Sequence, residues 1–437
     1  MFDQTTQLTA SQRDLIARPG RVFLEGAAGS GKTTVGVRRM LHLLQSGVPA
    51  DEVLVLVPQR TLAQPYRRAL RAVDLPPGGQ VTVSTMSGLA IGMIELFWLL
   101  IGAKAGFAKP ETLPTFLTFE TAQYVMAHVA APLIAEHAYF ESVTMDRSRL
   151  YIQMLDNLNK SAVVGFPHTE IGARLRDAWL GDPSQAIIFE QVQECASRFR
   201  AFCLQHNLLD FSLQMEVFVR HLWTLPMCRD LLLGRYRHLI AENVEEENAA
   251  AQDIVRDWLP HFDSALVIYD SDAGFRSYLG ADPDNGYTLR AACDQYVELT
   301  ESFVNPPELA ALGNELGRAL DQYAEDIPGD PLAALEYSVS RFYPEMLDKA
   351  AAEVRRLVDE EGVAPGEIVM LAPLMPDSLK FSLMQRLEGI PTRSHRPSRS
   401  LRDQPAIRCL LTLAQLAHPA WGVEPPALDV AYALMQA

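Results

Sequence analysis

The sequence predicts an α/β fold in which a parallel sheet, covered on both faces by helices, is interrupted by a long all-helical insertion. A glycine-rich loop at residues 26–34 lies between an apolar run, Val22-Phe23-Leu24, and a segment with helical spacing from Val35 to Leu44. Strand and helix patterns then alternate, which favours parallel strands joined by crossover helices. Strand patterns are missing from residues 104–229 and return afterwards. These three observations together predict the fold class.

The glycine-rich loop reads Gly26-Ala27-Ala28-Gly29-Ser30-Gly31-Lys32-Thr33-Thr34 and has the spacing of a phosphate-binding loop, or P-loop. Its glycines let successive N–H groups point at phosphate oxygens, and the helix N-terminus adds its positive end. Lys32 is predicted to reach the β- and γ-phosphates, and the Thr33 hydroxyl to bind Mg²⁺. The sequence therefore predicts a nucleotide site formed by all nine residues of the loop.

The remaining elements of the first α/β unit follow in chain order. Residues 8–14 have the pattern of a helix start, with Thr9 or Ser11 as the cap. Apolar runs of the kind buried in a parallel sheet predict strands at 53–57, 81–84, 238–241 and 265–269. Helical periodicity predicts helices at 62–72, 86–100 and 249–258, and within the insertion at 120–137, 148–159 and 184–206.

A second α/β unit is predicted to begin near Gln295. Its strands are expected at 295–299, 335–342, 368–371 and near Thr392, with helices at 346–360 and up to Leu387. The predicted domains are a first unit in two parts, 1–103 and 230–290, the helical insertion 104–229, a partial second unit 291–400, and the start of a second insertion at 401–437. A chain that ends inside an expected domain predicts either a fragment of a longer protein or a naturally reduced relative, and we favour the fragment.

Composition restricts the kind of partner. At 437 residues, 48% hydrophobic and 21% charged, the chain is typical of a soluble globular protein with about two to four domains. The formal net charge is −16, so nucleic-acid binding requires a locally basic surface. Arginines near the N-terminus predict either a solvated helix face or a DNA-facing strip: Arg38, Arg39, Arg60, Arg67, Arg68 and Arg71.

The cysteine pattern and the start of the chain indicate a compartment. Five cysteines are scattered without a CxxC pair, which argues against a zinc ribbon or a disulfide framework. Met1 is followed by a polar segment and not by a signal sequence. The most apolar stretch, 91–101, contains Glu95 and is too short to span a bilayer. We therefore predict a buried helix there and a cytoplasmic protein with no membrane partner.

The order of the motifs resembles superfamily 1 DNA helicases of the UvrD/Rep/PcrA type over most of the chain. Leu8 and Gln12 resemble the Q motif, whose glutamine reads the adenine edge, and residues 28–33 are similar to the family's AGSGKT. Residues 58–62 and 83–87 fall where motifs Ia and Ib contact single-stranded DNA, and residues 388–391 resemble the family's GIP turn. The insertion occupies the place of the first accessory subdomain.

The resemblance implies two RecA-like lobes, ATP and Mg²⁺ as cofactors, and single-stranded DNA as partner. Gln12 joins the P-loop residues as a nucleotide contact. The implied nucleic-acid contacts are Pro58, Gln59, Arg60, Tyr66, Thr85 and Met86.

The catalytic acidic motif departs from the family. The family's Asp-Glu-x-Gln-Asp is replaced by Glu242-Asn243-Val244-Glu245-Glu246-Glu247, so Glu242 takes the Mg²⁺-associated position and Asn243 the position of the general base. Asparagine cannot accept a proton from water, and losing a general base removes a factor of about 10² to 10⁴ in rate. Glu245 or Glu246 is an alternative base if the loop shifts. The acidic run is otherwise explained as a solvated cap of the helix at 249–258.

Two further departures fall on the γ-phosphate side of the site. Ala273 stands where the family has a γ-phosphate-sensing glutamine, and Val304 where it has an arginine. An arginine finger contributes about 10³ to 10⁵ in rate to phosphoryl transfer. Arg276 and Arg290 are the candidates to replace it.

Two hypotheses follow. In the first, the protein is an ATP-dependent translocase or helicase that acts on single-stranded DNA in repair or recombination, with ATP hydrolysis impaired. In the second, it is a non-catalytic, AddB-like subunit that binds DNA and nucleotide within a helicase–nuclease complex. An unrelated P-loop kinase fits the helical insertion poorly.

Overall fold

The computed structural model describes residues 8–72, 79–302, 304–320, 328–394, 404–421 and 424–436. The chain divides into two compact units, Met1–Pro331 and Leu332–Ala437. The predicted start of a second insertion at residue 401 lies outside the described residues.

The first unit is built on a parallel sheet, which confirms the predicted α/β class and a RecA-like arrangement. Its strands are β1 Gly20–Gly26, β2 Val53–Leu56, β3 Thr82–Ser84, β6 His238–Ala241, β7 Ser264–Asp270 and β8 Gln295–Leu299. Within the described residues their order in the sheet is β3-β2-β6-β7-β1-β8, and every neighbouring pair is parallel. The carboxyl ends of all these strands meet at one edge, where ligands bind in open α/β sheets.

Helices cover both faces of this sheet and form the insertion. Those that accompany the strands are α1 Ala10–Ala17, α2 Lys32–Gln45, α3 Gln64–Ala72, α4 Met86–Ile101, α11 Ala249–Trp258, α12 Pro283–Thr288 and α13 Pro307–Ala319. The insertion contains α5 Phe119–His137, α6 Arg147–Val164, α7 Ile171–Asp177, α8 Ile187–Gln205, α9 Phe211–Val217 and α10 Pro226–Arg235. The predicted boundary at residues 229/230 falls inside α10.

The insertion is helical except for one short parallel pair, β4 Thr115–Phe116 and β5 Leu208–Leu209. Asn207 joins β5 to β4 and to the segment before it: its carbonyl oxygen accepts from the Thr115 N–H at 2.8 Å, and its Nδ2 donates to the Lys109 and Thr112 carbonyls. Two paired residues are too short to leave a period-2 pattern in the sequence, so the prediction of an all-helical insertion missed them.

Successive residues of each strand point to opposite faces of the sheet and pack into two separate hydrophobic cores. Phe23, Leu239 and Val267 point to the face covered by the insertion, and their core continues through α4, α5, α6 and α8. Val22 and Leu266 point to the other face, where α1, α2 and α3 pack. Burial on both faces explains why these strands read as continuous apolar runs. None of the helices in the described ranges combines the length and the hydrophobicity of a membrane span.

The prediction that a second α/β unit begins near Gln295 is wrong. Residues 295–299 form β8, which pairs with β1 at the edge of the first sheet. The second unit, described by itself, contains α14 Tyr343–Asp359, α15 Asp377–Arg386, α16 Pro405–Ala417 and α17 Ala427–Gln436. The predicted strands at 335–342, at 368–371 and near Thr392 are described, and none of these residues is in a strand. Apolar runs predict extended segments, but a strand also needs a neighbour to take its hydrogen bonds.

Candidate nucleotide and nucleic-acid site

The P-loop has the backbone shape that its glycines predict. It joins the end of β1 to the first residue of α2, and Gly29 and Gly31 take left-handed φ values of 82° and 87°. A Cβ added at Gly26 would lie 2.7 Å from Ser30 Oγ and 2.8 Å from the Leu299 carbonyl oxygen. Side chains at these positions would therefore distort the loop.

Lys32 is held against the loop that precedes it. Its Nζ donates to the carbonyl oxygens of Gly26 at 2.6 Å and Ala27 at 2.7 Å, and it lies 3.1 Å from Asp270 Oδ2. The side chain is only 6% exposed. The ammonium is thus fixed beside the loop, as required of a lysine that reaches the β- and γ-phosphates.

Gln12 packs against the same loop. Thr9 caps α1, and the Thr9 N–H donates to Gln12 Oε1 at 3.0 Å in a capping box. Gln12 Nε2 donates to the Ser30 carbonyl oxygen at 3.0 Å, and the side chain is buried. Both ends of the amide are therefore occupied, so reading an adenine edge requires one of these bonds to be exchanged.

Glu242 follows β6 and faces the start of α2. Thr33 Oγ1 donates to Glu242 Oε1 at 2.5 Å, and the Tyr66 hydroxyl donates to Oε2. Burial raises the pKa of the Glu242 carboxyl above its usual range. A threonine hydroxyl beside a carboxylate fits Mg²⁺, which is usually held by one or two carboxylates together with phosphates and water. The structure thus brings the two predicted metal-binding residues, Thr33 and Glu242, together.

The prediction that Tyr66 contacts nucleic acid is wrong. Its side chain is fully buried and its hydroxyl is bound to Glu242. The ring approaches α2 at Gly36, where a Cβ would overlap the tyrosine hydroxyl. Tyr66 lies on the core side of α3 and supports the predicted metal position.

Asn243 and Glu245 form a link between the ends of β6 and β7. Asn243 takes a left-handed φ of 49°, and its Nδ2 donates to Glu245 Oε1 at 2.7 Å. Glu245 Oε2 accepts from the Asp270 N–H at 3.0 Å, and the side chain is fully buried. Glu245, one of the two alternative bases, is therefore occupied by two donors and shielded from solvent. Glu246, the other, accepts from the Gly274 N–H at 2.9 Å and lines a different part of the surface, the groove beside these loops.

The buried Glu245 carboxyl predicts a pH dependence of stability. Burial raises its pKa from 4.5 to about 7, against the opposing effect of its hydrogen bonds. The folded state therefore keeps this proton at pH values where the unfolded state has lost it, so stability falls as the pH rises from about 4.5 through 7. The fall is about 1.4 kcal/mol per pH unit at most.

Urea unfolding of the wild type and Glu245→Gln at pH 5.5 and pH 8 tests this expectation. The difference between the two proteins isolates this carboxyl, because other titrating groups contribute equally to both. We expect a smaller loss of stability between the two pH values in the variant. Equal losses would show that Glu245 does not titrate in this range.

Besides Asp270, two side chains that the sequence analysis did not assign contact the P-loop. The Ala28 N–H donates to Asp272 Oδ2 at 3.0 Å, and Asn305 Nδ2 donates to the Ala28 carbonyl oxygen at 2.8 Å. Asp272 follows β7, and β7 and β8 both pair with β1. Loops that follow adjacent parallel strands lie at the same edge of the sheet. The strand order would therefore have predicted that both residues lie near the P-loop, but the sequence does not give that order.

The two arginines considered as replacements for an arginine finger are engaged elsewhere. Arg290 stacks 3.6 Å from the centroid of the Tyr296 ring and donates to the Tyr287 hydroxyl. Arg276 lies 3.9 Å from Glu246 Oε2. Val304, at the family's arginine position, is 76% exposed.

A groove of about 530 Å³ opens beside these loops. Five of the six predicted nucleic-acid residues line it: Pro58, Gln59, Arg60, Thr85 and Met86. They follow β2 and β3, and Thr85 caps α4 by accepting from the Gly88 N–H at 3.1 Å. Of the N-terminal arginines, Arg60 lines the groove, whereas Arg39 is buried and donates to the Leu15 and Arg18 carbonyls.

The insertion and the segment after β7 supply the other side of the groove. Lys160 and Phe211 come from the insertion, and Arg276 and Tyr278 from the segment after β7. Tyr278 is 70% exposed, so its ring is available for stacking. Three carboxylates also line the groove: Asp156, Glu246 and Glu247. The sequence did not predict them as groove residues, because their positions depend on how the insertion and the segments after β6 and β7 pack together.

Comparison with known proteins gives relatives of one kind. The ATP-dependent DNA helicases UvrD2 of Mycobacterium bovis and of Mycobacterium tuberculosis are 22% identical to this chain over 384 residues. The similarity supports a relationship to UvrD-like superfamily 1 helicases. The match covers 83% of this chain and 51% of each relative, so the chain spans about half the length of the curated relatives it matches. No protein-family model matches the chain.

Proposed function

We propose that this chain is a helicase-like protein of DNA repair or recombination that binds ATP with Mg²⁺ at the P-loop and single-stranded DNA in the groove. One observation carries the proposal. The segment after β7 contacts both sites, because Asp272 binds the P-loop at Ala28 while Arg276 and Tyr278 line the groove. A shift of this segment on nucleotide binding would therefore also move side chains that contact DNA, because the two sets of contacts are only a few residues apart.

We propose further that this chain hydrolyses ATP poorly. Asn243 stands in the base position and its amide is bound to Glu245. Glu245 is fully buried, and the exposed Val304 brings no charge to the γ-phosphate side. The metal and P-loop residues suit binding, whereas the residues opposite them do not suit proton removal or charge stabilisation. Mg²⁺ held by Thr33 and Glu242 would neutralise phosphate charge.

The same features favour a second candidate function. A chain that keeps a P-loop and a DNA groove but lacks the base and the arginine suits a non-catalytic, AddB-like subunit of a helicase–nuclease complex. In that role the bound nucleotide would stabilise one conformation of this chain, and a partner subunit would hydrolyse ATP. Slow phosphate release that Lys32→Ala abolishes would favour the first candidate, and no release above the Lys32→Ala variant would favour the second.

The groove assignment predicts how DNA binding responds to mutation. Tyr278→Ala should weaken binding of a single-stranded oligonucleotide about tenfold, because base stacking contributes about 1–3 kcal/mol. Arg60→Ala should lower affinity and reduce the dependence of log K on log salt by about 0.7, the value for one phosphate contact on a single strand. Fluorescence anisotropy at several salt concentrations measures both effects.

Arg198→Ala provides the matched control for charge. Arg198 is 53% exposed, pairs with Glu194 and does not line the groove. This variant should bind DNA as the wild type does. A flat salt response of the wild type, or equal losses in the control and groove variants, would contradict the assignment.

A further inference from the structure

We propose that the P-loop in this conformation selects a nucleoside diphosphate over a triphosphate, because a third phosphate would approach two of the chain's own carboxylates, one paired with the loop lysine and one bound to a loop N–H. This inference rests on the proposed function and specifies the ligand of the same site. The two carboxylates belong to Asp270 and Asp272.

Asp270 sits on the P-loop cation. Its Oδ2 lies 3.1 Å from Lys32 Nζ, and its Oδ1 accepts from the Asp272 N–H at 3.0 Å. The Asp270 side chain is 15% exposed. The ammonium that a P-loop offers to the β- and γ-phosphates is thus already paired with a carboxylate that is fixed at both oxygens.

Asp272 occupies a backbone donor of the loop. Its Oδ2 accepts from the Ala28 N–H at 3.0 Å, in the place where a phosphate oxygen would bind. Asn305 Nδ2 donates to the Ala28 carbonyl oxygen, which holds the same peptide unit from the other side. Asp272 therefore makes the contact that an anionic ligand would make.

The deeper part of the loop is free of such contacts. No side chain in the described ranges accepts a hydrogen bond from the N–H groups of Gly29, Gly31 or Lys32. These amides, at the N-terminus of α2, suit the phosphates nearest the nucleoside. The loop therefore keeps a cradle for a diphosphate.

A third phosphate would meet an unfavourable charge balance. It would approach two carboxylates, and Lys32 is already paired with one of them. Like charges within about 4–6 Å disfavour one another, and neither Arg276 nor Arg290 contacts the P-loop to offset them. A diphosphate brings less negative charge and leaves the Asp272 contact intact.

Equilibrium titration with MgADP and with a non-hydrolysable MgATP analogue tests the inference. We expect the wild type to bind MgADP about tenfold more tightly than the analogue. Asp272→Asn removes the charge, and Asp272→Ala removes both the charge and the contact. Both variants should bind the analogue about five- to tenfold more tightly while their MgADP affinity changes less than twofold. Asp177→Asn, at an exposed aspartate that ends α7 in the insertion, should leave both affinities unchanged.

The outcomes separate this inference from the proposed function. Equal affinity of the wild type for the two ligands, or no gain in analogue binding in the Asp272 variants, would overturn the diphosphate preference. If Lys32→Ala still abolished binding in that case, the nucleotide site itself would stand. Failure of the wild type to bind either ligand would overturn both.

Discussion

Replacing Lys32 with alanine should lower the affinity for MgADP by about 100-fold or more. The ammonium is the one side-chain cation that the described residues place on the loop, and it is held by two carbonyls and Asp270. Charge-assisted hydrogen bonds to phosphate are among the strong polar contacts in proteins. The alanine variant loses these bonds together with the positive charge. A fluorescent ADP analogue measures the affinity directly.

Two controls make the Lys32 result interpretable. Lys104→Ala removes an exposed lysine from a turn after α4 and should leave nucleotide affinity unchanged. Thermal unfolding of Lys32→Ala shows whether the protein remains folded, because Asp270 loses its cation in this variant. A folded Lys32→Ala protein with unchanged affinity would contradict the assignment of the loop.

Gly36→Ala should destabilise the protein by about 2 kcal/mol, although alanine favours helices over glycine by about 1 kcal/mol. An added Cβ would overlap the Tyr66 hydroxyl, and it would lie 3.0 Å from Ile268 Cδ1 and 3.3 Å from Glu242 Oε2. The hydroxyl would have to leave Glu242, and a buried carboxyl would lose a donor. Urea unfolding measures the change in the free energy of unfolding.

The tyrosine hydroxyl is the specific cause, so Tyr66→Phe provides the matched background. In the Tyr66→Phe variant, the Gly36→Ala substitution should cost at least about 1 kcal/mol less, a coupling expected of groups in contact. The same cost in both backgrounds would show that the Tyr66 hydroxyl does not occupy the space beside Gly36.

The elements of the first unit were predictable from local patterns. The apolar run at 238–241 and the helical period at 249–258 both match the structure, because each is short, buried on a known face and clearly bounded. The glycine loop was predictable because its spacing alone specifies a turn between strand and helix. Gln295–Leu299 was assigned to the wrong unit, because a strand pattern does not say which sheet the strand joins.

The candidate site was predictable only for residues that directly follow a strand or begin the helix after it, at the carboxyl edge of the sheet. Thr33 and Glu242 meet as expected, because α2 and β6 carry them to the same edge. Tyr66 was misplaced, because its burial depends on the space left by Gly36 on a different helix. Asp272 and Lys160 are brought to their sites by tertiary packing, and tertiary packing leaves no periodic pattern in the sequence.

The most direct test of the account measures nucleotide binding and phosphate release on one preparation of the chain, with and without single-stranded DNA. We expect saturable binding that depends on Lys32, together with slow phosphate release that DNA does not raise. Rapid DNA-stimulated release that Lys32→Ala abolishes would contradict the claim that this site holds a nucleotide but lacks the groups to cleave it efficiently.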